Sequence, residues 1–196
     1  MSRMKPMPAA PTRRERVEHK EEAIVATARG LFNAKGFGKT TISDIAKGCG
    51  VADGTVYLYF KNKEAVAQAV LENFYHELKE TAQDGVDDLN SPEEQLRFLA
   101  EHHLNSVNDE RRILELFPII GVSIDNYKGS KLYTLNKSYA RVFDRVVKAG
   151  LSRGVVKRGI APWVIRDIFF GGLDYASRTM MMHDRTDNMS SIVDGL

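Results

Sequence analysis

Little in this sequence points to a secreted, membrane-spanning or metal-holding protein. It has one cysteine, Cys49, so an internal disulfide is excluded and a reducing cytoplasm is the expected setting. No apolar run approaches the roughly 20 residues that cross a bilayer. The N-terminus is basic but has no apolar core, so no secretory signal is expected. Of six prolines, Pro6, Pro8 and Pro11 precede Thr12, which leaves the rest of the chain nearly free of the residue that breaks helices. There is no Gly-x-Ser-x-Gly, no phosphate-cradling glycine loop and no His-Glu-x-x-His. Enzyme chemistry is therefore not expected, nor is a cofactor or a bound metal. His102 and His103 are adjacent and point about 100° apart on a helix, so they cannot both hold one ion. His76 and Glu80 share a helical face, but without a third donor nearby a solvated pair outweighs a metal site.

What the chain does have is an uneven charge. The net charge is +2 over 196 residues. Residues 1–63 carry twelve Lys and Arg against six Asp and Glu, and the remainder is acidic. A basic first third on an acidic body suggests a nucleic-acid-binding end and a separate domain with another task. The spacing predicts an all-α chain of about nine helices in three parts: a disordered basic arm over 1–12, a helix-turn-helix domain over 13–64, and a second helical domain over 65–196, for which the resemblance given below implies ligand binding and dimerisation. The arm reads either as a solvated tail or as a strand of charge along phosphates.

The informative stretch is Thr40 to Glu64. Thr41 with Asp44 has capping-box spacing, and Ile42, Ile45 and Ala46 form an apolar stripe. Gly48-Cys49-Gly50 marks a turn. A second short helix from about Asp53 to Tyr59 buries Val56 and Phe60 and leaves Thr55, Tyr57 and Tyr59 to point outward. The first helix, capped by Thr12 with Glu15, should pack Val17, Ile24, Ala28, Leu31 and Phe32 against these two. Such a pair is either an ordinary helical hairpin or a helix-turn-helix whose second member enters the major groove.

Further on, Asn62 begins a helix expected to end at Asp84-Gly85, shared between the two domains. Ser91 with Glu94 begins another, with Pro92 in its first turn. Ile119 to Ile124 is apolar. Two longer helices follow, one from Lys131 to about Arg153 and one opened by Pro162, and the tail after His183 is polar. Both long helices have apolar faces broader than a monomer needs, and Gly171-Gly172 would admit a close neighbour. The aromatic surplus, including Phe98, Phe117, Tyr133 and Phe169, reads as core or as the wall of a pocket between helices. Lys137, Arg141, Arg145 and Lys148 make a cationic stripe, either solvated or facing an anionic head group.

The run Thr55-Val-Tyr-Leu-Tyr-Phe-Lys-Asn-Lys-Glu64, with Gly36-Phe37, Thr40-Thr41 and Gly50-Val51 before it, resembles the signature of TetR-family transcriptional repressors over Ile24 to Leu71. The resemblance implies that Thr41, Gly54, Thr55, Tyr57, Tyr59 and Lys63 contact double-stranded operator DNA. It also implies a homodimer through the last two long helices and a hydrophobic small-molecule effector. Two departures stand out: Ala52 where serine is frequent, and Asp53 where lysine is common. Asp53 would serve as a cap or read a cytosine amino group. Ala149 to Gly154 and Asp167 to Gly172 add a likeness to the branch that answers long-chain acyl-CoA in fatty-acid degradation. On that basis Phe98, Phe117, Tyr133, Arg141, Arg145 and Phe169 are expected to bind the ligand. A drug or another hydrophobic molecule is the alternative.

Overall fold

The computed structural model describes residues 12–120 and 127–182. Regular structure among them is entirely helical: α1 Arg13–Lys35, α2 Ile42–Gly48, α3 Asp53–Tyr59, α4 Lys63–Asp87, α5 Pro92–Asp109, α6 Arg111–Leu114, α7 Lys131–Arg153 and α8 Pro162–Met182. That makes eight helices among the described residues; the expected total of about nine takes in residues outside them. Most of the expected arm, part of the apolar segment 119–124 and the tail after His183 lie outside the described residues. The chain divides into two compact units, Met1–Val70 and Leu71–Leu196. The division falls within α4, past the boundary placed after Glu64 in the sequence.

In the first unit, α2 packs against both α1 and α3. Ile24, Ala28, Phe32, Ile45, Val56 and Phe60 are all buried. Val17 is not: it is 43% exposed, because it lies two turns ahead of Ile24, beyond the part of α1 that is covered. Gly36 ends α1 with φ of 81°, a left-handed backbone that costs other residues strain. The turn that follows is tied down by Thr40, fully buried, whose hydroxyl donates to the Gly36 carbonyl at 2.9 Å.

In the second unit, α5 lies against α7 and α8, and α7 against α8. Leu99, Leu104, Val142, Phe143, Val146 and Leu173 are buried where they meet. Ser91 and Ser130 cap α5 and α7 with their hydroxyls, and Gly154 closes α7 at φ 79°. The expected end of α4 at Asp84-Gly85 is wrong. The helix runs on to Asp87, and Gly85 sits inside it with the Phe98 ring packed on its α-carbon, so that an added β-carbon would overlap that ring. The glycine marks a close approach, not a stop.

Candidate nucleic-acid interface and ligand cavity

α3 is short, and its rigidity comes from its neighbours. Thr41 accepts from the Asp44 N–H at 3.1 Å, and the Asp44 carboxylate accepts in return from the Thr41 N–H at 2.9 Å and hydroxyl at 2.8 Å. Lys35 reaches the same carboxylate at 2.8 Å, tying α1 to α2. The Lys35 hydrogen bond first, then those from Thr41, hold Asp44 far below the usual carboxylate range. At the start of α3, Ala52 supplies no side-chain cap. Asp53, exposed in the first turn, complements the helix dipole instead.

The outward face of α3 combines polar and apolar tips. Gly54 and Tyr57 are exposed, while Thr55 and Tyr59 are half-buried. Tyr57 is 55% exposed and Leu58 83%. Leu58, absent from the sequence-based set, is the most exposed large apolar side chain described. Its place beside Tyr57 on a helix of groove-fitting size suits contact with a thymine methyl group. Lys63, expected on the DNA, turns inward. Its ammonium donates to the Phe37 and Thr40 carbonyls, each at 2.8 Å, and lies 4.1 Å from the Phe37 ring centroid. In this structure it fastens the α1–α2 connection to the start of α4. Thr41 is likewise committed to its cap.

In the second unit α4, α5, α7 and α8 line an open-sided cavity of about 610 Å³, within the size range of small-molecule sites. Seven aromatic rings line it: Phe74, Tyr75, Phe117, Tyr127, Tyr133, Tyr139 and Phe170. Polar groups are set among them. His103 Nε2 lies 3.0 Å from Asp174 Oδ1 and its Nδ1 lies 3.4 Å from the Tyr139 hydroxyl. The Nε2–H therefore donates to the carboxylate, and Nδ1 is left to accept from the tyrosine. Asn136 donates to the Tyr127 hydroxyl at 2.7 Å. Two cations reach the cavity, Lys137 and Arg166. Arg166 is held by Asp144 at 3.6 Å and Asp167 at 3.2 Å, whereas Lys137 lies 5.8 Å from the Tyr133 ring centroid.

Residues 24–70 match the family model of bacterial regulatory proteins, tetR family, and residues 71–195 match that of the YsiA-like protein, C-terminal region. The chain belongs to the TetR family. It is thus a transcriptional regulator with a helix-turn-helix DNA-binding domain, and not an enzyme. It is similar to the fatty acid metabolism regulator protein of Bacillus subtilis, with 25% identity over 162 residues, covering 83% of this chain and 84% of that one. Two solved structures share the fold. The fatty acid degradation regulator FadR of Bacillus halodurans has 24% identity and a TM-score of 0.71, covering 90% of this chain and 91% of that one. FadR of Bacillus subtilis in complex with stearoyl-CoA has 23% identity and a TM-score of 0.71, covering 88% and 95%.

Within this TetR-family chain the expected ligand residues part company. Phe117 and Tyr133 line the cavity; Phe98, Arg141, Arg145 and Phe169 do not. Phe98 is taken up by Gly85 and the His102 ring, and Phe169 by Phe143 at 4.7 Å between centroids. Arg145 points away to Asp87 at 2.8 Å, and Arg141 is exposed on α7. Only Lys137 of the cationic stripe reaches the cavity. Arg166 and Asp174 were not singled out in the sequence, and His103 was weighed only as a metal ligand. Their spacing gave no signal, since they meet only when α5 and α8 pack. His76 and Glu80 form an exposed pair at 3.1 Å, and no cluster of three metal-binding side chains occurs among the described residues.

Proposed function

We propose that this TetR-family regulator is a homodimeric repressor that binds a palindromic operator and is released by an amphipathic effector, a long-chain acyl-CoA. The observation that carries the effector reading is the ring-lined cavity of about 610 Å³ with Lys137 at its wall. An apolar chain gains from burial among rings, and a phosphorylated head is drawn to a cation with no carboxylate partner among the described residues. The likeness to a fatty acid metabolism regulator supports the same reading. On the DNA side, Gly54, Thr55, Tyr57, Leu58 and Tyr59 of α3 meet base edges and backbone, and Thr41 acts from the cap of α2. The pairing of subunits runs through α7 and α8. No described helix is long and apolar enough to cross a membrane, and the protein works in the cytoplasm beside its operator.

Release requires the effector to bind the DNA-incompetent conformation more tightly. A thousandfold preference corresponds to about 4 kcal/mol. The test selects an operator from random duplex, then titrates the complex with stearoyl-CoA in a gel-shift assay while calorimetry measures binding to the free protein. Micromolar binding with loss of the shifted band is expected. An operator complex unmoved by stearoyl-CoA, with no heat of binding, would exclude the acyl-CoA reading and leave another hydrophobic effector.

A further inference from the structure

We infer that the cavity is built for an acyl body that carries its own hydrogen-bonding oxygen, a hydroxyl or carbonyl, rather than for a plain saturated chain. This rests on the acyl-CoA reading above and refines it. A saturated chain has nothing to offer a polar wall. Buried polar groups left unpaired cost stability, and sites that pair them discriminate against ligands lacking the partner.

The wall has such groups. Tyr75 is half-buried between Phe74 and Phe117, with ring centroids 5.3 and 6.0 Å away. Its hydroxyl makes no hydrogen bond among the described residues, and burial pushes its pKa well up. A phenol on the cavity wall with no protein partner among the described residues gives up its water when a chain fills the cavity, and is a donor held ready for a ligand oxygen. Across the cavity, Tyr139 is buried, and its only hydrogen bond among the described residues is the long 3.4 Å contact to His103 Nδ1. Asp174, whose charge both Tyr75 and Tyr139 feel, completes the polar patch. A ligand oxygen there accepts from Tyr75, and a ligand hydroxyl donates onward to Asp174.

The experiment compares calorimetric binding of stearoyl-CoA with 10-hydroxy- and 12-hydroxystearoyl-CoA to the full-length protein, and repeats it on Tyr75→Phe. At least one hydroxylated thioester is expected to bind about tenfold tighter than stearoyl-CoA. In Tyr75→Phe that preference should shrink to about twofold or less, with Tm unchanged or raised, since the ring packing stays and an unpartnered hydroxyl goes. Equal affinity of the wild type for all three overturns the inference and leaves the acyl-CoA reading standing. A preference that survives Tyr75→Phe overturns the assignment of Tyr75. Binding of none of them overturns both readings.

Discussion

His102 on α5 lies between the rings of Phe98 and Tyr139, with centroids 5.5 and 6.4 Å away. Its Nε2 is 2.7 Å from the Thr81 hydroxyl oxygen, whose own proton goes to the Glu77 carbonyl at 2.8 Å. The imidazole must therefore donate from Nε2, which leaves Nδ1 as a buried lone pair with no partner among the described residues. A proton placed on Nδ1 would find no acceptor and would sit beside His103. Burial first, then His103, lower the pKa of this group below 6.5. Because the folded value is the depressed one, the stabilising contribution is complete above the unfolded pKa and is lost as pH falls below it. Melting temperature is expected to drop on acidification from about pH 7.5 to about pH 5, and to drop less in His102→Leu over the same interval. Parallel acid profiles for the two proteins would remove His102 from the account. At the DNA face, Tyr57→Ala and Leu58→Ala remove exposed side chains. Each should weaken operator binding by about 1–3 kcal/mol while leaving Tm nearly unchanged. A gel shift beside a thermal melt separates the two effects, and undiminished operator affinity in both variants would move the reading face elsewhere.

Among the elements, α2 and α3 were legible because their signals are local. Thr41 and Asp44 cap within one turn, and Val56 and Phe60 recur at helical spacing. The end of α4 was not legible, because Asp-Gly signals both a helix stop and a close contact, and only the position of Phe98 decides between them. Helix propensity alone favours Ala over Gly by about 1 kcal/mol. Overpacking against a ring costs about 1–3 kcal/mol. The second effect should win, so Gly85→Ala is expected to destabilise the second unit, and Phe98→Leu to recover part of the loss. Chemical denaturation of both single variants and the double variant gives the coupling directly; a stabilising Gly85→Ala would mean the ring moves aside freely. The cavity was half legible for a related reason. Phe117 and Tyr133 stand out as aromatic positions in any reading of the chain. The cationic stripe on α7 misled, because Arg145 faces Asp87 across from α4, a pairing no local spacing reveals. His103 and Asp174 lie 71 residues apart.

For the molecule as a whole, the decisive feature is an uncovered apolar face on α8. Ile168, Gly172, Tyr175 and Met182 fall at spacings of four, three and seven, along one side of the helix, and all four are exposed. Ile168 is 66% and Tyr175 73% exposed, whereas the outward side chains of α7 are largely cationic. The expectation of two broad apolar faces thus holds for α8 alone. The TetR-family regulators bind operators as dimers, and two half-sites one helical turn apart need two reading helices related by a two-fold axis. Placing charges on the α8 face, as in Ile168→Glu with Tyr175→Glu, should therefore separate the subunits without touching α3. Light scattering is expected to report a monomer where the wild type gives a dimer. The monomer keeps its reading helix but loses the second half-site, which acts at high effective concentration once the first is bound, so operator affinity should fall by about 100-fold or more. A monomeric variant that retained full operator affinity would show that one subunit reads the site alone, and the palindromic operator would have to be abandoned.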